Sequence, residues 1–154
     1  MRKLVVLLAL AVSAALLVGA CSSSSSSSAP SASAASSASS ASGLTGPTWK
    51  WTASTTKVPA SQSVVPNPDN YTITFAADGT FAGKNDCNQI AGTYTTSGSD
   101  GLTIVLGPST LVACPDGSMD AIYLAGLAAT KSYAISGNEL TLTLAEDATM
   151  TFNS

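Results

Sequence analysis

The feature that most constrains the fold of this chain is a strict alternation of large apolar residues with threonine. Residues 71–77 read YTITFAA, and near the end of the chain residues 140–144 read LTLTL. Successive side chains of an extended strand point to opposite faces, so a period of two gives each segment one apolar face. Asp78 and Gly79 follow the first segment and suit the positive φ angles of a tight turn. The sequence therefore predicts antiparallel hairpins in a mainly β domain.

Further strands are predicted between and after these segments, for about eight in all. Residues 92–96 and 133–135 are short and β-prone, and the apolar run LTIVL at 102–106 is expected to be buried on both faces. Residues 149–152 are expected to pair with 140–144. Residues 57–70 contain three prolines and are predicted to form a long loop, which makes them the first surface to test for binding.

One segment has helical rather than strand periodicity. Residues 116–130 read DGSMDAIYLAGLAAT, and Ser118 is a plausible N-cap for a helix. We expect this helix to pack one face across an open end or face of the sheet, because a lone helix in a β domain must bury one face to be stable. Apolar or small residues recur at three- and four-residue spacing and form that face: Met119, Ile122, Tyr123, Gly126 and Leu127.

The N-terminus is typical of a secretion signal. Two basic residues precede an uncharged apolar run at 4–20, which ends in small residues before Cys21. Val18–Cys21 resembles the cleavage site of bacterial lipoproteins, in which the cysteine carries the lipid and becomes the first mature residue. The alternative is a membrane-spanning helix, but the run is at the short limit of the roughly 20 residues that a span needs. We therefore predict a signal peptide at 1–20 and a lipidated Cys21 that tethers the protein to a membrane.

A low-complexity segment of serine and alanine follows, so residues 21–43 are predicted to be the lipidated cysteine and a flexible linker. The remainder, 44–154, has the size of one small domain. Without Arg2 and Lys3 of the signal, four lysines face nine acidic residues, a formal charge near −5. A surface of this charge does not favour nucleic acid as a partner.

The chain contains three cysteines and no histidine. Cys–His and Ser–His–Asp catalysis and histidine-based zinc sites are therefore excluded. With Cys21 lipidated, Cys87 and Cys114 remain in an oxidising compartment, which favours a structural disulfide. A reactive thiol and a two-thiolate metal site are the alternatives, but the surroundings of neither cysteine are electropositive, and the spacing is not that of a zinc knuckle.

Two sequence motifs together resemble those of the META domain family, which includes heat-shock lipoproteins. The first is GKNDCNQIAGTY at 83–94, and the second is STLVAC at 109–114. The resemblance extends over nearly all of 44–154. It implies a small antiparallel β barrel, lipocalin-like or cracked, with one α-helix packed across it. It also implies an envelope protein connected with stress or antibiotic tolerance, without established enzyme activity.

Five residues are candidates for binding or for motif function: Asn88, Gly92, Tyr94, Trp49 and Trp51. Asn88 could contact a ligand, but a buried asparagine that satisfies loop backbone groups is the favoured interpretation. The two tryptophans share one strand face and could form an aromatic platform, although anchoring of the first strand in the core is favoured. No catalytic residue, metal ligand or cofactor is predicted.

Two functions remain open at this stage. The first is a non-enzymatic interaction module, tethered so that its loops meet an envelope protein. The second is a barrel that carries a small apolar ligand or lipid tail. Bulky interior side chains would leave no cavity for such a ligand, and the apolar strand residues are mostly bulky, which favours the first function. An enzyme is disfavoured, because no base, metal site or phosphate loop is recognisable.

Overall fold

A computed structural model describes residues 43–154 of the chain. The predicted signal peptide, Cys21 and nearly all of the linker lie outside these residues. The described part contains the following strands and helix: β1 (Thr48–Lys57), β2 (Ala60–Val64), β3 (Tyr71–Phe75), β4 (Thr80–Asn85), β5 (Asn88–Ser97), β6 (Gly101–Ser109), α1 (Asp120–Ala128), β7 (Thr130–Ser136), β8 (Glu139–Leu144) and β9 (Thr149–Asn153). Within it, no helix is both long and apolar enough to span a bilayer.

The strands form one antiparallel sheet that closes into a ring. Its order is β2-β1-β3-β4-β5-β6-β7-β8-β9, and an additional pairing of β1 with β9 closes it. On one edge of β1, residues 48–50 pair with β3 and residues 53–57 pair with β2. On the other edge, residues 50–55 pair with β9. The barrel predicted from the sequence, with one helix, is therefore confirmed.

Burial follows the alternation read from the sequence. In β3, Tyr71, Ile73 and Phe75 are buried and the threonines between them are half-buried. In the last hairpin, Leu140 and Leu142 are buried opposite Phe152 and Met150, which are their register partners. Removing these large side chains from water is the main favourable contribution to folding of the ring.

The ring is weakest between β6 and β7. A single residue pair, Gly101 and Ser132, joins these strands, and the Tyr133 N–H adds a hydrogen bond to the Asp100 carbonyl oxygen. Helix α1, which connects the two strands in sequence, packs against β6. The helix thus covers part of the β6 edge that β7 leaves unpaired, and a covered edge is protected from pairing with another chain.

Helix α1 buries Tyr123 and Leu127 in the core. It can approach closely because Gly126 faces Met150, and a Cβ at this position would collide with the Met150 sulfur. The helix is shorter than expected, since it begins at Asp120 and ends at Ala128. The prediction for Ile122 was wrong, because this side chain points outward and is 57% exposed.

Two further predictions, the loop at 57–70 and the burial of 102–106, also need correction. Residues 57–70 are not one long loop: β1 runs to Lys57 and forms a hairpin with β2, and a short 3-10 helix follows at Pro68–Asn70. The Val58–Pro59 peptide bond is cis and lies in the turn of this hairpin. The run LTIVL is buried on one face only, because Val105 on the outer face is 58% exposed.

The register defines two ends of the barrel. The chain enters at the first, which we call the entry end, where Thr45 bridges to Phe75 beside the Asp78–Gly79 turn. At the other end Tyr71 pairs with Asn85, and the β4–β5 turn contains Asp86 and Cys87. We call this second end the disulfide end, for the reason given next.

Candidate functional site

A disulfide joins Cys87 to Cys114 at the disulfide end. The S–S distance is 2.06 Å and the Cα atoms are 5.5 Å apart. One cysteine lies in the β4–β5 turn and the other lies between β6 and α1, so the bond ties two separate loops together. The structural disulfide expected from the sequence is present in the structure.

Asn88, next to Cys87, holds the same two loops together through its side chain. Its Oδ1 accepts hydrogen bonds from the Val112 N–H at 2.8 Å and from the Thr110 hydroxyl at 2.9 Å. Its Nδ2 donates to the Val112 carbonyl oxygen at 2.9 Å. Asn88 is 7% exposed, so these bonds replace the hydrogen bonds to water that its side-chain amide loses on burial. This is the structural role favoured for Asn88 from the sequence.

A cleft of about 210 Å³ opens beside the disulfide. It is lined by the 3-10 helix and its flanks, including Pro66 and Asn70, and by the segment from Pro115 to Met119. Asp86 of the β4–β5 turn also lines it. The cleft is therefore built from three loops, two of which the disulfide connects directly.

Asn70 holds Asp86 in place through two hydrogen bonds. The Asp86 N–H donates to the Asn70 carbonyl oxygen at 2.6 Å, and Asn70 Nδ2 donates to Asp86 Oδ1 at 3.1 Å. Lys84 Nζ in turn donates to Asn70 Oδ1 at 2.9 Å. Asp86 has a φ of 53°, a left-handed conformation that aspartate and asparagine tolerate better than most residues.

The tyrosine of β3 links the cleft to the start of the helix. The Tyr71 hydroxyl accepts a hydrogen bond from the Met119 N–H at 2.8 Å and lies 3.3 Å from Ser118 Oγ. Ser118 Oγ also accepts from the Asp120 N–H at 3.2 Å. Met119, not Ser118, occupies the N-cap position, yet the Ser118 hydroxyl still satisfies one of the free N–H groups of the first turn.

The charges around the cleft are mainly negative. Asp86 and Asp116 line it, and no lysine is among its lining residues. Nearby, Lys50 forms an ion pair with Asp69 at 2.6 Å, and the hydrogen bond and charge of Lys50 lower the pKa of Asp69. No group of three or more Cys, Asp or Glu side chains suited to a metal ion occurs within 43–154.

The two tryptophans lie in the core and do not form an exposed platform. Trp49 is 1% exposed and its Nε1 donates to the Leu44 carbonyl oxygen, and Trp51 is 0% exposed with its Nε1 bonded to the Ala53 carbonyl oxygen. The ring centroid of Trp51 lies 5.6 Å from that of Tyr71 and 5.4 Å from that of Tyr123. Trp51 thereby anchors β1 beneath helix α1.

Gly92 and Tyr94 also have structural roles. A Cβ on Gly92 would collide with the Val105 carbonyl oxygen and with the Phe81 ring, so only glycine permits this packing of β4, β5 and β6. The Tyr94 hydroxyl donates to the Ala76 carbonyl oxygen at 2.7 Å. Burial, together with the nearby charge of Asp78, raises the pKa of Tyr94.

The interior of the ring is occupied by large side chains. Those with at most 2% exposure include Trp49, Trp51, Ile73, Phe75, Phe81, Leu102, Tyr123, Leu127, Leu140, Leu142, Met150 and Phe152. Two buried polar atoms have no hydrogen-bond partner among the described residues, namely Asn85 Oδ1 and the Tyr123 hydroxyl.

The sequence indicated the disulfide, Asn88, the aromatic residues and, through residues 57–70, one side of the cleft, but not the cleft as a whole. Its walls come from residues far apart in sequence, such as Pro66 and Pro115, and neither has a local chemical signature. The signal that could have completed the prediction was the pairing of the cysteines, since a bond between Cys87 and Cys114 brings Asp86 and Asp116 to the same end of the barrel.

Comparison with known proteins gives one family, and the solved structures of similar fold include the two that follow. The profile of the META domain matches residues 42–154. An NMR structure of a protein from Burkholderia xenovorans is 23% identical, with a TM-score of 0.59 over 71% of this chain and 82% of that one. A crystal structure of a DUF4847 family protein from Bacteroides vulgatus is 20% identical, with a TM-score of 0.54 over 71% of this chain and 93% of that one. No curated protein matches the sequence.

Proposed function

This chain belongs to the META domain family, and from that premise we propose that it is a lipid-anchored protein of the bacterial cell envelope that acts by binding a partner and catalyses no reaction. The proposed anchor is Cys21, and the proposed binding surface is the disulfide end of the barrel. A role in tolerance of envelope stress follows from the family resemblance and is part of the proposal.

The filled interior is the observation that favours a binding module over a carrier barrel. A barrel that holds a ligand needs a cavity, and pockets for small molecules are usually about 300 Å³ or larger. Here Trp51, Tyr123 and Phe152 pack against one another across the inside, with ring centroids 5.4 to 6.3 Å apart. A lipid tail could enter only if several buried aromatic side chains moved, and each contributes about 2 kcal/mol of burial.

The position of the chain entry supports the disulfide end as the binding surface. The linker joins the domain at Gly43, and Leu44 and Thr45 lie beside Phe75 at the entry end. The cleft and the disulfide lie at the opposite end of β3 and β4, next to Tyr71 and Asn85. A protein tethered through its entry end would therefore present the cleft away from the attachment point.

Replacement of Cys21 by serine tests the anchor. We expect the Cys21→Ser chain, expressed in its bacterial host, to leave the membrane fraction and lose the mass of the attached lipid, because serine has no sulfur to form the thioether. Ser24→Ala, three residues further along, is the matched control and should remain in the membrane fraction. Membrane retention of Cys21→Ser at the level of the control would refute the lipid anchor and favour a spanning N-terminal segment.

A further inference from the structure

Strand β2 is the terminal strand of the sheet, and one of its two edges has no partner strand. We propose that two copies of this chain associate through this edge, with β2 of one copy paired antiparallel to β2 of the other. This inference goes beyond the proposed function, because the partner is a second copy of the chain and no residue of β2 lines the cleft. It is supported by the free backbone groups of β2, by its lack of charge and by its self-complementary sequence.

The free edge of β2 offers backbone groups for hydrogen bonding. The strand spans Ala60–Val64 and pairs with β1 alone. Lys57 and Ala60 close a two-residue turn and exchange hydrogen bonds, and bonded pairs alternate from there along the hairpin. The N–H and C=O groups of Ser61 and Ser63 therefore point away from β1, and no backbone partner for them is found within residues 43–154.

This edge lacks the protection that the open joint of the ring has. Helix α1 packs against β6 and covers part of the edge that β7 leaves unpaired. In β2, by contrast, all five residues are exposed. Natural sheet edges avoid pairing with other chains by carrying lysine or proline, but the strand sequence ASQSV contains no charged residue and no proline. The edge of β2 is therefore a template for another strand.

The sequence of β2 is complementary to itself in antiparallel pairing. With Gln62 on the two-fold axis, Ser61 faces Ser63 of the second copy, and Ala60 faces Val64 of the second copy. Each of the two Ser61–Ser63 pairs then exchanges two hydrogen bonds, so every outward N–H of the strand meets a carbonyl oxygen. A shift of this register would leave fewer residues paired.

The charge distribution of the domain permits self-association at β2. Residues 44–154 carry a formal charge near −5, so two copies of the domain repel each other at long range. The strand itself is uncharged, and the charged residue closest to it in sequence, Lys57, forms an ion pair with Asp147 at 3.2 Å. A strand that pairs with its own copy brings identical residues together, and without charge it does so free of like-charge repulsion.

Two exposed valines lie at the ends of β2 and become covered in the pair. Val58 in the hairpin turn is 91% exposed, and Val64 at the end of the strand is 72% exposed. Because the two strands are antiparallel, Val64 of each copy lies beside the hairpin turn of the other copy, which carries Val58. Removal of this apolar surface from water stabilises the pair in addition to the backbone hydrogen bonds.

The dependence of molecular mass on concentration tests the association. The sample is the full chain in mild detergent, with micelles in excess over protein, and the method is sedimentation equilibrium. We expect a monomer–dimer equilibrium with a Kd of about 100 µM, because a single edge strand buries less area than a standard interface. A chain that stays monomeric up to about 1 mM would overturn the proposal.

Two glutamine variants make this test specific for β2. Gln62→Lys places two ammonium groups opposite each other on the two-fold axis and should weaken the dimer about tenfold or more. Gln89→Lys, at an exposed position of β5, makes the same change in net charge and should leave the Kd unchanged. The dispersed amide spectrum verifies that both variants fold. Equal Kd values for the two variants would refute pairing through β2.

Cross-linking tests the position of the two-fold axis. Directly opposite Cβ atoms of an antiparallel pair are about 5 Å apart, so a short bismaleimide should join two copies of Gln62→Cys. Cys87 and Cys114 do not react, because they form the disulfide. Ser99→Cys, in the exposed β5–β6 turn at the entry end, is the matched control and should give no covalent dimer. Equal cross-linking from both positions would indicate random collision and contradict the proposed axis.

Hydrogen exchange distinguishes a second copy from a segment of the same chain. The amide protons of Ser61 and Ser63 should exchange more slowly as the protein concentration rises through the Kd, because pairing protects them. The Gln62 amide, which faces β1, is the internal control and should be protected at every concentration. Protection of Ser61 and Ser63 that is independent of concentration would identify the linker at 21–43 as the occupant and overturn the proposal. Full exchange of both at every concentration would overturn it as well.

Discussion

At the scale of single residues, Tyr94 and Tyr123 form an informative contrast. Both phenols are buried, and Tyr94 donates its hydrogen bond to the Ala76 carbonyl oxygen. The Tyr123 hydroxyl has no partner among the described residues, although its ring packs between Trp51, Tyr71 and Phe152. The ring of Tyr123 is therefore stabilising while its hydroxyl is not.

Conversion of each tyrosine to phenylalanine should have opposite effects on stability. Tyr123→Phe should raise the free energy of unfolding by about 1 kcal/mol, because a buried hydroxyl without a partner is removed. Tyr94→Phe, the matched control, should lower it by about 1 kcal/mol, because a hydrogen bond is lost. Urea denaturation measures both. A loss of stability in Tyr123→Phe as large as that in Tyr94→Phe would show that the Tyr123 hydroxyl has a partner, such as a buried water.

Tyr123→Phe should also change how the stability of the protein depends on alkaline pH. Burial raises the pKa of Tyr123 in the folded state above the ordinary tyrosine value of about 10. The unfolded chain therefore releases this proton at a lower pH than the folded chain does. The contribution of the Tyr123 proton to the free energy of unfolding is complete below about pH 10 and is lost as the pH rises above that value. In Tyr123→Phe the decline of stability above pH 10 should be shallower, as measured by urea denaturation from pH 8 to 11.

Residue-level roles were predictable from the sequence where composition limits the choices. A chain with no histidine and two cysteines after the predicted lipidation site favours a disulfide, and the structure contains Cys87–Cys114. The interpretation of Asn88 as a buried residue that binds loop backbone groups was also the favoured one. Its partners were not predictable, because Thr110 and Val112 lie more than twenty residues away and have no local signal that relates them to Asn88.

At the scale of elements, β5 and the segment at 110–114 behave as one unit. Asn88 begins β5 and binds Thr110 and Val112, and the Gln89 N–H donates to the Thr110 hydroxyl at 3.0 Å. The disulfide fixes the far end of the same segment. Beyond Ser109 the ladder with β5 ends, and the Thr110 N–H adds one backbone hydrogen bond to the Gln89 carbonyl oxygen at 3.2 Å. The rest of the loop before helix α1 is attached to β5 by the Asn88 side chain and the disulfide.

Removal of the Asn88 side chain should therefore loosen this unit. We expect Asn88→Ala to lower the free energy of unfolding by about 2 kcal/mol, because it removes the three hydrogen bonds by which a buried side chain joins Thr110 and Val112 to β5. Gln89→Ala, at the neighbouring exposed position, is the control and should change it by less than about 0.5 kcal/mol. Equal effects of the two substitutions, measured by urea denaturation of the oxidised protein, would contradict the role of Asn88 in holding the loop.

The elements themselves were predicted best where alternation was regular. Both hairpins with the apolar–threonine pattern are present, and their buried residues are those read from the sequence. The prolines of 57–70 led to the prediction of a loop, yet Pro59 occupies the turn of a hairpin and leaves β2 intact. Ile122 fits the helical spacing but lies at the margin of the apolar face, where packing against β6 decides which side chain is covered.

At the scale of the whole molecule, the closed ring depends on contacts that local sequence does not encode. Lys50 pairs with Asn153, and Trp51 pairs with Phe152, so the first strand meets the last. Alternation predicts that strands exist but not which strands become neighbours, because pairing is decided by burial of the assembled core. The family resemblance, and not periodicity, was the basis for expecting a barrel.

The same ring relates the fold to the proposed function. Its interior is filled, so binding is assigned to a surface, and the cleft lies at the end of the barrel opposite the chain entry. A lipid at Cys21 and a linker of small residues would then leave the cleft accessible to a partner.

Native mass spectrometry of the protein purified from its own host tests this account most directly. We predict a mature chain that begins at Cys21, carries the covalent lipid, is lighter by the two hydrogen atoms of one disulfide, and has no bound small molecule. Treatment with reductant should restore the two hydrogen atoms and change nothing else. A stoichiometric small-molecule adduct that survives purification would contradict the filled-barrel account and identify the protein as a carrier.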